Sequence, residues 1–227
     1  MNIISFSLWG TDPKYMQGAL ENIKLVDEIY PGWKCRFYVN SSIPKDLPQK
    51  LKDAGGEVIT IVDNLGPYSG MFWRFLVNDD PAVDYYIIRD ADSRISYREQ
   101  GCVREWMASG KSFNTIHDHF FHHGVPMLGG MWGGRTGRIP NMKEKVHAWP
   151  RQHHHGDDQI FLAHIIWPLI HNDCLRHDNG YELRYGPASR IPSHQPLKYG
   201  GTFVGELFDS NNCSLNPVPL GDPRMLW

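Results

Sequence analysis

The chain has 227 residues, of which 41% are hydrophobic and 21% charged, and its formal net charge is -2. This length and composition fit a single globular α/β domain spanning 1–227, and they exclude a chain that is mostly disordered. The near-neutral charge provides no general attraction for nucleic acid or an anionic membrane surface, so any phosphate binding must be local.

The N-terminal segment and the cysteines predict a cytoplasmic protein. Residues 2–8 are typical of a first strand and lack the basic start and the cleavage site of a signal peptide. No run approaches the roughly 18 apolar residues of a membrane span. The four cysteines are far apart without paired spacing, which favours reduced thiols over a zinc ribbon or a disulfide framework.

Strand-like and helix-like segments alternate along the chain. In order, the patterns predict a strand at 2–8, a helix at 16–29, a strand at 34–39, a helix at 44–54, a strand at 57–62, a helix at 69–77, a strand at 84–89, a helix at 97–109, a strand at 113–116, a long loop at 118–137 and a helix at 157–170. Such alternation favours a mixed, mostly parallel central sheet flanked by helices. In sheets of this kind, ligands bind beyond the carboxyl ends of the strands.

Two aspartates stand one residue apart directly after the apolar strand at 84–89. Asp90 and Asp92 point the same way in an extended chain, so they can share a divalent cation such as Mn²⁺ or Mg²⁺. Such a cation would neutralise charge on a departing diphosphate. A bare pair at this spacing also arises by chance in surface turns, so its weight depends on its place at a strand end.

The run 86–93 resembles the Asp-X-Asp segment of GT-A type glycosyltransferases, including the group of the glycogenins and bacterial lipopolysaccharide galactosyltransferases. The resemblance extends over roughly 1–170, with identity confined to short motifs. It implies a Rossmann-like GT-A fold with a nucleotide-binding half at 1–95 and a half for sugar and acceptor at 96–227. Asp90, Ala91 and Asp92 would then contact the donor, with the two aspartates as metal ligands.

A second motif lies upstream of the aspartates. The segment 72–76 resembles the aromatic-Arg-Leu helix of the same family, which implies that Arg74 lies close to the donor nucleotide. A guanidinium group suits a diphosphate well, because its planar fork matches phosphate oxygens. A surface arginine on a helix is the structural alternative.

A third motif lies downstream. The segment 156–162 resembles the family's Asp-Gln segment at the start of a helix beneath the transferred sugar, and Asp158 and Gln159 carry the match. Asp157 and Asp158 would also favour a helix start through the helix dipole alone. The Asp-Gln match favours retention of the anomeric configuration, whereas an inverting enzyme would use Asp157 or Asp158 as a general base.

The resemblance also nominates residues in two loops. Ser7, Trp9 and Gly10, at the end of the first strand, would hold the base and ribose, although a core strand and its turn explain them equally well. In the loop at 118–137, Gly129 and Gly130 would contact the donor sugar, because glycines allow close approach. Trp132 in the same loop is either a stacking face for a sugar or a core residue.

A histidine from the C-terminal part often completes the metal site in this family. His177 and His194 are the candidates, and His177 is preferred because it follows an apolar, strand-like segment. The family's usual sequence context around that histidine is missing.

Three functions compete at this stage. The first is transfer of a sugar, most plausibly from a UDP-linked donor, to a hydroxyl of a glycan, lipid-linked or protein acceptor. The second is a sugar-phosphate nucleotidyltransferase, but the loop at 8–12 lacks the glycine-rich, basic composition of that class. The third is a non-catalytic carbohydrate-binding module, which leaves Asp90, Asp92, Arg74 and the Asp158-Gln159 pair unexplained.

Overall fold

The computed structural model describes residues 1–62, 66, 68–151, 154–180, 183–192 and 203–215. The strands are β1 (Asn2–Leu8), β2 (Trp33–Val39), β3 (Glu57–Thr60), β4 (Tyr85–Ile88), β5 (Phe113–His117), β6 (Trp132–Arg135) and β7 (Cys174–Asp178). The α-helices are α1 (Pro13–Ile29), α2 (Leu47–Asp53), α3 (Gly70–Trp73), α4 (Tyr97–Ser109), α5 (Met142–Ala148), α6 (Asp157–Phe161) and α7 (Trp167–Ile170). A π-helical segment, Leu162–Ile166, joins α6 to α7.

The described residues form one seven-stranded sheet with the strand order β3-β2-β1-β4-β6-β5-β7. Strands β3, β2, β1 and β4 are parallel, and β7 is parallel to β5. Strand β6 is antiparallel to both of its neighbours, β4 and β5. The chain moves outward from β1 to β3 and then returns to place β4 on the other side of β1. This reversal opens a crevice at the carboxyl ends of β1 and β4, where α/β sheets bind their ligands.

Side chains alternate along β1 to fill a core on each face of the sheet. Ile4, Phe6 and Leu8 pack with the buried residues of α1, α2 and α4. Ile3 points to the other face and packs with residues of α3, α5 and α6. Because both faces are covered, β1 is apolar after its first residue, Asn2, except for Ser5 and Ser7, which are buried and serve the site described below.

The predicted mixed sheet flanked by helices is confirmed, but one predicted loop contains a strand. Residues 132–135 form β6, inside the segment 118–137 that was predicted to be a loop. Glycines lower strand propensity, yet they are needed here, because a Cβ on Gly133 would lie 2.7 Å from the Tyr86 carbonyl oxygen. Trp132 is fully buried against Phe75 and Tyr86, so it is a core residue and not a stacking face for a sugar.

The described helices and the cysteines both bear on the sequence-based expectations. No helix in the described part of the chain is long and apolar enough to cross a membrane. All four cysteines lie in that part, and each is a free thiol.

Candidate active site

A cavity of about 360 Å³ lies at the carboxyl ends of β1 and β4. One side, which we call the charged wall, consists of side chains joined by ion pairs: Lys14, Arg74, Asp90, Asp92 and Asp158. A second side, the apolar wall, comes from the connection between β5 and β6 and from the segment 203–215: Phe121, His122, Leu128, Met131 and Phe203. Gly129 and Gly130 also line the cavity, as do Ser7, Trp9, Ala91 and Gln159.

Arg74 is positioned through its backbone by β1. Its amide N–H donates to Ser7 Oγ at 2.9 Å, and its carbonyl oxygen accepts from Ser5 Oγ at 2.7 Å. The two serines occupy alternate positions of β1, so both hydroxyls point to the same face of the sheet. These two buried hydroxyls hold the end of α3 against the sheet and fix where the arginine side chain begins.

The guanidinium of Arg74 joins two carboxylates from different parts of the chain. Nη1 donates to Asp90 Oδ1, and Nη2 donates to Asp158 Oδ2 at 2.9 Å. Burial alone would lower the Arg74 pKa, but the two carboxylates reverse this and raise it, so the side chain stays charged. Burial raises the pKa of Asp158, and the charge of Arg74 opposes that shift. Arg74 and Asp158 can therefore both stay charged in this buried place because each neutralises the other.

Asp92 is paired with a residue that the sequence patterns did not identify. Lys14 Nζ lies 3.1 Å from Asp92 Oδ2 and 4.6 Å from the centre of the Tyr15 ring. Burial and then the charge of Asp90 raise the Asp92 pKa, while Lys14 lowers it. Helix α1 comes this close because Gly18 has no side chain: a Cβ there would lie 1.9 Å from the Ala91 carbonyl oxygen.

Gly129 and Gly130 lie directly against the carboxylates. A Cβ on Gly129 would lie 2.3 Å from Asp158 Oδ2, and one on Gly130 would lie 1.9 Å from Asp90 Oδ2. A methyl group at either position would push a carboxylate aside. The two glycines were nominated for sugar contacts, and the structure places them in the cavity wall, where their lack of side chains lets the two carboxylates pack against the backbone.

Asp158 and Gln159 begin α6, and their backbone orients the carboxylate. Gly156, at a φ of 90°, precedes the helix, and Gln159 N–H donates to Asp158 Oδ1 at 3.0 Å. Both side chains line the cavity. Asp157 is buried and turned elsewhere, because its Oδ1 accepts from Trp149 Nε1 at 2.9 Å. The predicted trio thus divides into two cavity residues and one that fastens α6 to the segment after α5.

The residues at the end of β4 fit a Mn²⁺ or Mg²⁺ ion. The Asp90 side chain is 45% exposed and lines the cavity, so its carboxylate can be reached by an ion. Hard divalent cations are commonly held by one or two carboxylates together with phosphate oxygens and water. The described residues contain no group of three or more His, Cys, Asp and Glu side chains that could hold a metal, so any ion here would rely on the nucleotide.

His177 does not join the two aspartates. It lies in β7, three strands from β4 in the sheet, which corresponds to about 14 Å at the usual strand spacing. Its ring bonds to Asn114 Nδ2 at 2.9 Å and to Glu105 Oε2 at 3.3 Å, and burial lowers its pKa. The structure thus gives His177 a structural environment rather than the predicted place at the metal. The alternative ligand, His194, lies outside the described residues.

A second cavity of about 440 Å³ adjoins the first at Trp9. It lies beyond the ends of β1, β2 and β3, and its lining includes Asn40, Tyr68 and Trp73. The Trp73 Nε1–H is buried and has no hydrogen-bond partner among the residues that the structure describes. Gly10 lies near this region and donates its N–H to Ser42 Oγ at 2.7 Å, but it lines neither of these two cavities.

Lys14, Tyr15 and His122 line the cavity without having been predicted there. Lys14 and Tyr15 follow the Asp12-Pro13 helix start, where polar residues are ordinary, so no local pattern marks them. The one available signal is Gly18, a glycine inside a helix, which often indicates close packing. His122 lies in a histidine-rich loop, where sequence alone does not separate structural from functional rings.

Comparisons with known proteins agree with this architecture. No protein-family model matches the sequence, and no curated protein is similar to it in sequence. The alignment with the Mycobacterium tuberculosis glucosyl-3-phosphoglycerate synthase in complex with UDP covers 84% of this chain and 73% of that enzyme's chain, at 10% identity and a TM-score of 0.50. The same enzyme with Mn²⁺, UDP-glucose and phosphoglyceric acid covers 78% and 68%, at 10% identity and a TM-score of 0.49. The alignment with another mycobacterial protein covers 60% of this chain and only 53% of that protein's chain, at 12% identity and a TM-score of 0.38.

At these identities the likeness concerns the fold. The seven-stranded mixed sheet of the described residues, flanked by helices, is the fold of GT-A type glycosyltransferases, as the sequence predicted. This likeness does not single out the glycogenin and lipopolysaccharide galactosyltransferase group within that class.

Proposed function

We propose that this protein is a metal-dependent glycosyltransferase that moves a hexose from a UDP-linked donor to a hydroxyl of a glycan, lipid-linked or protein acceptor. The observation that carries the proposal is the convergence of Arg74, Asp90, Asp92 and Asp158 on one cavity at the carboxyl ends of β1 and β4. These residues come from three separate segments of the chain, and a purely structural ion-pair network would not need to face a cavity of this size.

The donor is proposed to span both cavities. The diphosphate would lie at the charged wall, and the base would enter the second cavity beside Trp9 and Trp73, which are 6.4 Å apart at their ring centres. Both tryptophans line the second cavity, so their ring faces are available to stack on a base. Support for a uridine nucleotide comes from the neighbour of the same fold that was solved with UDP.

Charge balance favours a divalent cation together with the diphosphate. The charged wall has three carboxylates, Asp90, Asp92 and Asp158, and two cationic side chains, Lys14 and Arg74. The carboxylates outnumber the cations, so the negatively charged diphosphate would be repelled there unless additional positive charge came with it. Asp90 and Asp92 would hold the ion, which when bound supplies Lewis-acid neutralisation of the leaving diphosphate.

The protein's own residues would position the reacting groups. Asp158 fixes the direction of the Arg74 guanidinium, whose fork then meets phosphate oxygens without reorganising during the reaction. Gln159 lines the same cavity and can hydrogen-bond hydroxyls of the transferred sugar. Since Asp157 is buried against Trp149, we assign the sugar-side role to Asp158 and Gln159 and favour retention of configuration.

Hydrolysis of the donor tests the proposal directly. Many transferases slowly pass the sugar to water, so the purified protein with Mn²⁺ should release free nucleotide from one member of a nucleotide-sugar panel. Asp92→Asn should abolish this release, whereas Asp53→Asn, on an exposed turn of α2, should retain it. Absence of turnover and of binding for every nucleotide-sugar would refute the assignment.

The same panel separates the competing functions. A sugar-phosphate nucleotidyltransferase would consume a nucleoside triphosphate together with a sugar phosphate and release pyrophosphate. A carbohydrate-binding module would bind sugars without turnover and without any need for Mn²⁺.

A further inference from the structure

The apolar wall of the cavity contains one polar side chain, His122, whose tautomer is fixed by the backbone. The residue is 8% exposed, and its Nδ1 accepts the N–H groups of Asp118 at 3.0 Å and His119 at 3.1 Å. A nitrogen that accepts two hydrogen bonds carries no proton, so the proton of the neutral ring is on Nε2. Among the described residues, Nε2 has no partner, and His122 lines the cavity. The ring therefore presents one N–H donor to whatever lies there.

The turn that holds His122 is itself rigid. Arg98 pairs with Asp118 through two contacts of 2.6 Å, and Asp118 also accepts the N–H of Val204 at 2.8 Å. Phe203 stacks on His119 with ring centres 4.0 Å apart. These contacts fasten the segment 203–215 to the end of β5, so the donor direction of His122 is set before any ligand binds.

The rest of the apolar wall is hydrocarbon and ring surface. Phe121 is 59% exposed, which is unusual for a phenylalanine, and it faces the cavity together with Leu128, Met131 and Phe203. Burial lowers the pKa of His122 to about 3, with smaller contributions from His117 and His119, so the ring is neutral at physiological pH. The described part of this wall contains no lysine or arginine side chain.

The opposite wall disfavours a negatively charged second substrate. Lys14 is paired with Asp92, and Arg74, which is paired with Asp90 and Asp158, is assigned to the diphosphate in the donor arrangement proposed above. Arg98, which lies behind the apolar wall, is paired with Asp118. An anionic group placed against Phe121 would lose its hydration and gain no cation, which is costly.

We propose that the apolar wall is the acceptor subsite and that it takes an uncharged sugar or glycoside with an apolar face, oriented by the hydrogen bond from His122 Nε2. This rests on the proposed transferase function and specifies its acceptor class. The apolar face packs on Phe121 and Phe203, and the His122 N–H fixes one acceptor oxygen beside the charged wall. Among the described residues that line the cavity, each lysine and arginine already has a carboxylate partner, which disfavours a phosphorylated or carboxylate acceptor.

Calorimetry on the full chain, saturated with UDP and Mn²⁺, tests the acceptor class. The probes are the phenyl β-glycosides of glucose, galactose and mannose, compared with 3-phosphoglycerate and glucose 6-phosphate. At least one phenyl glycoside should bind at least about tenfold more tightly than either anion, since it buries the ring against Phe121 and needs no cation. Equal or tighter binding of an anion, or no binding of any glycoside while UDP binds normally, would overturn the inference.

Two variants separate the packing from the hydrogen bond. Phe121→Ser should weaken glycoside binding by about tenfold, and Leu169→Ser, which changes a similarly exposed residue outside the cavity, should not. His122→Phe keeps a ring but removes the donor, and it should weaken binding by about five- to tenfold. UDP affinity should be unchanged in the Leu169→Ser control. Absence of UDP binding by the wild type contradicts the transferase assignment, whereas normal UDP binding with unaltered glycoside binding in Phe121→Ser and His122→Phe contradicts the acceptor subsite alone.

Discussion

The two walls of the cavity satisfy their buried polar groups in different ways. On the charged wall, Arg74 and Lys14 neutralise carboxylates from other parts of the chain, so each of these charges depends on an oppositely charged neighbour in the same wall. On the apolar wall, the amides of the turn satisfy one face of His122 and leave the other nitrogen as a neutral donor. Only the charged wall can adapt to a change in charge, because its ion pairs can exchange partners.

This difference indicates which substrate each wall recognises. Buried ion pairs contribute little net stability, so their presence beside a cavity points to a role in binding. A fixed neutral donor among apolar side chains suits selection of a hydroxyl by position. Perturbing each wall should therefore change different measured quantities, and four changes are expected, beginning with the largest.

Arg74→Met should reduce donor hydrolysis by about 100- to 1,000-fold, because it removes a preorganised donor to the diphosphate and leaves Asp158 without its cation. The rate is measured as free nucleotide released under saturating Mn²⁺. Arg104→Met, at an exposed position of α4, is the matched control and should keep the wild-type rate. A comparable loss in the two variants would mean that the charged wall has no special role.

Gly130→Ala should weaken Mn²⁺-dependent UDP binding by about ten- to 100-fold, because the new methyl group would lie 1.9 Å from Asp90 Oδ2 and displace the carboxylate. Adding Gly130→Ala to Asp90→Ala should then cost almost nothing more. Additive losses in the double variant would show that the glycine acts through something other than Asp90.

His122→Gln should flatten the dependence of stability on pH. The folded-state pKa of His122 is lowered to about 3, below the value in the unfolded chain, so folding favours the neutral ring. The stability that the neutral ring contributes is fully present above the unfolded pKa and is lost as the pH falls from the unfolded pKa towards the folded pKa. Between pH 7 and pH 5 the wild type should therefore lose about 2 kcal/mol more of its unfolding free energy than the variant. Urea unfolding at both pH values measures this, and identical slopes would contradict a neutral, buried ring.

Lys14→Met should increase the affinity for Mn²⁺ alone by up to about fivefold, since the ammonium group competes with the ion for Asp92 and a partly exposed pair is worth about 1 kcal/mol. Electron paramagnetic resonance of free Mn²⁺ provides the titration. Lys24→Met, which removes an exposed lysine from the same helix, is the control. An unchanged or reduced affinity would place the metal away from Asp92.

The charged wall could be predicted from sequence to the extent that short motifs carry it. The alternation of strands and helices places the end of β4 at a ligand-binding edge, and motif resemblance identified Arg74 and Asp158 as its companions. Lys14 could not be found in this way, because its approach to Asp92 depends on the packing of α1 over Ala91 at Gly18. That contact joins residues that no local pattern relates.

The C-terminal part of the sheet was less predictable for a related reason. His177 follows an apolar, strand-like segment, which made it a plausible ligand. Its distance from the aspartates is set by the insertion of β6 and β5 between β4 and β7, and that order comes from long-range pairing. Strand β6 has two glycines in four residues, so its strand propensity is weak. The need for glycine at these positions becomes clear only in the structure, where the backbone packs closely against Tyr86.

Binding of UDP by calorimetry, with and without Mn²⁺, tests the central claim most directly. If Asp90 and Asp92 hold a divalent cation against the diphosphate, UDP should bind measurably with Mn²⁺ and at least about tenfold more weakly without it, and Asp92→Asn should remove the difference. UDP binding that is indifferent to Mn²⁺, or no UDP binding under either condition, would contradict the proposed donor site.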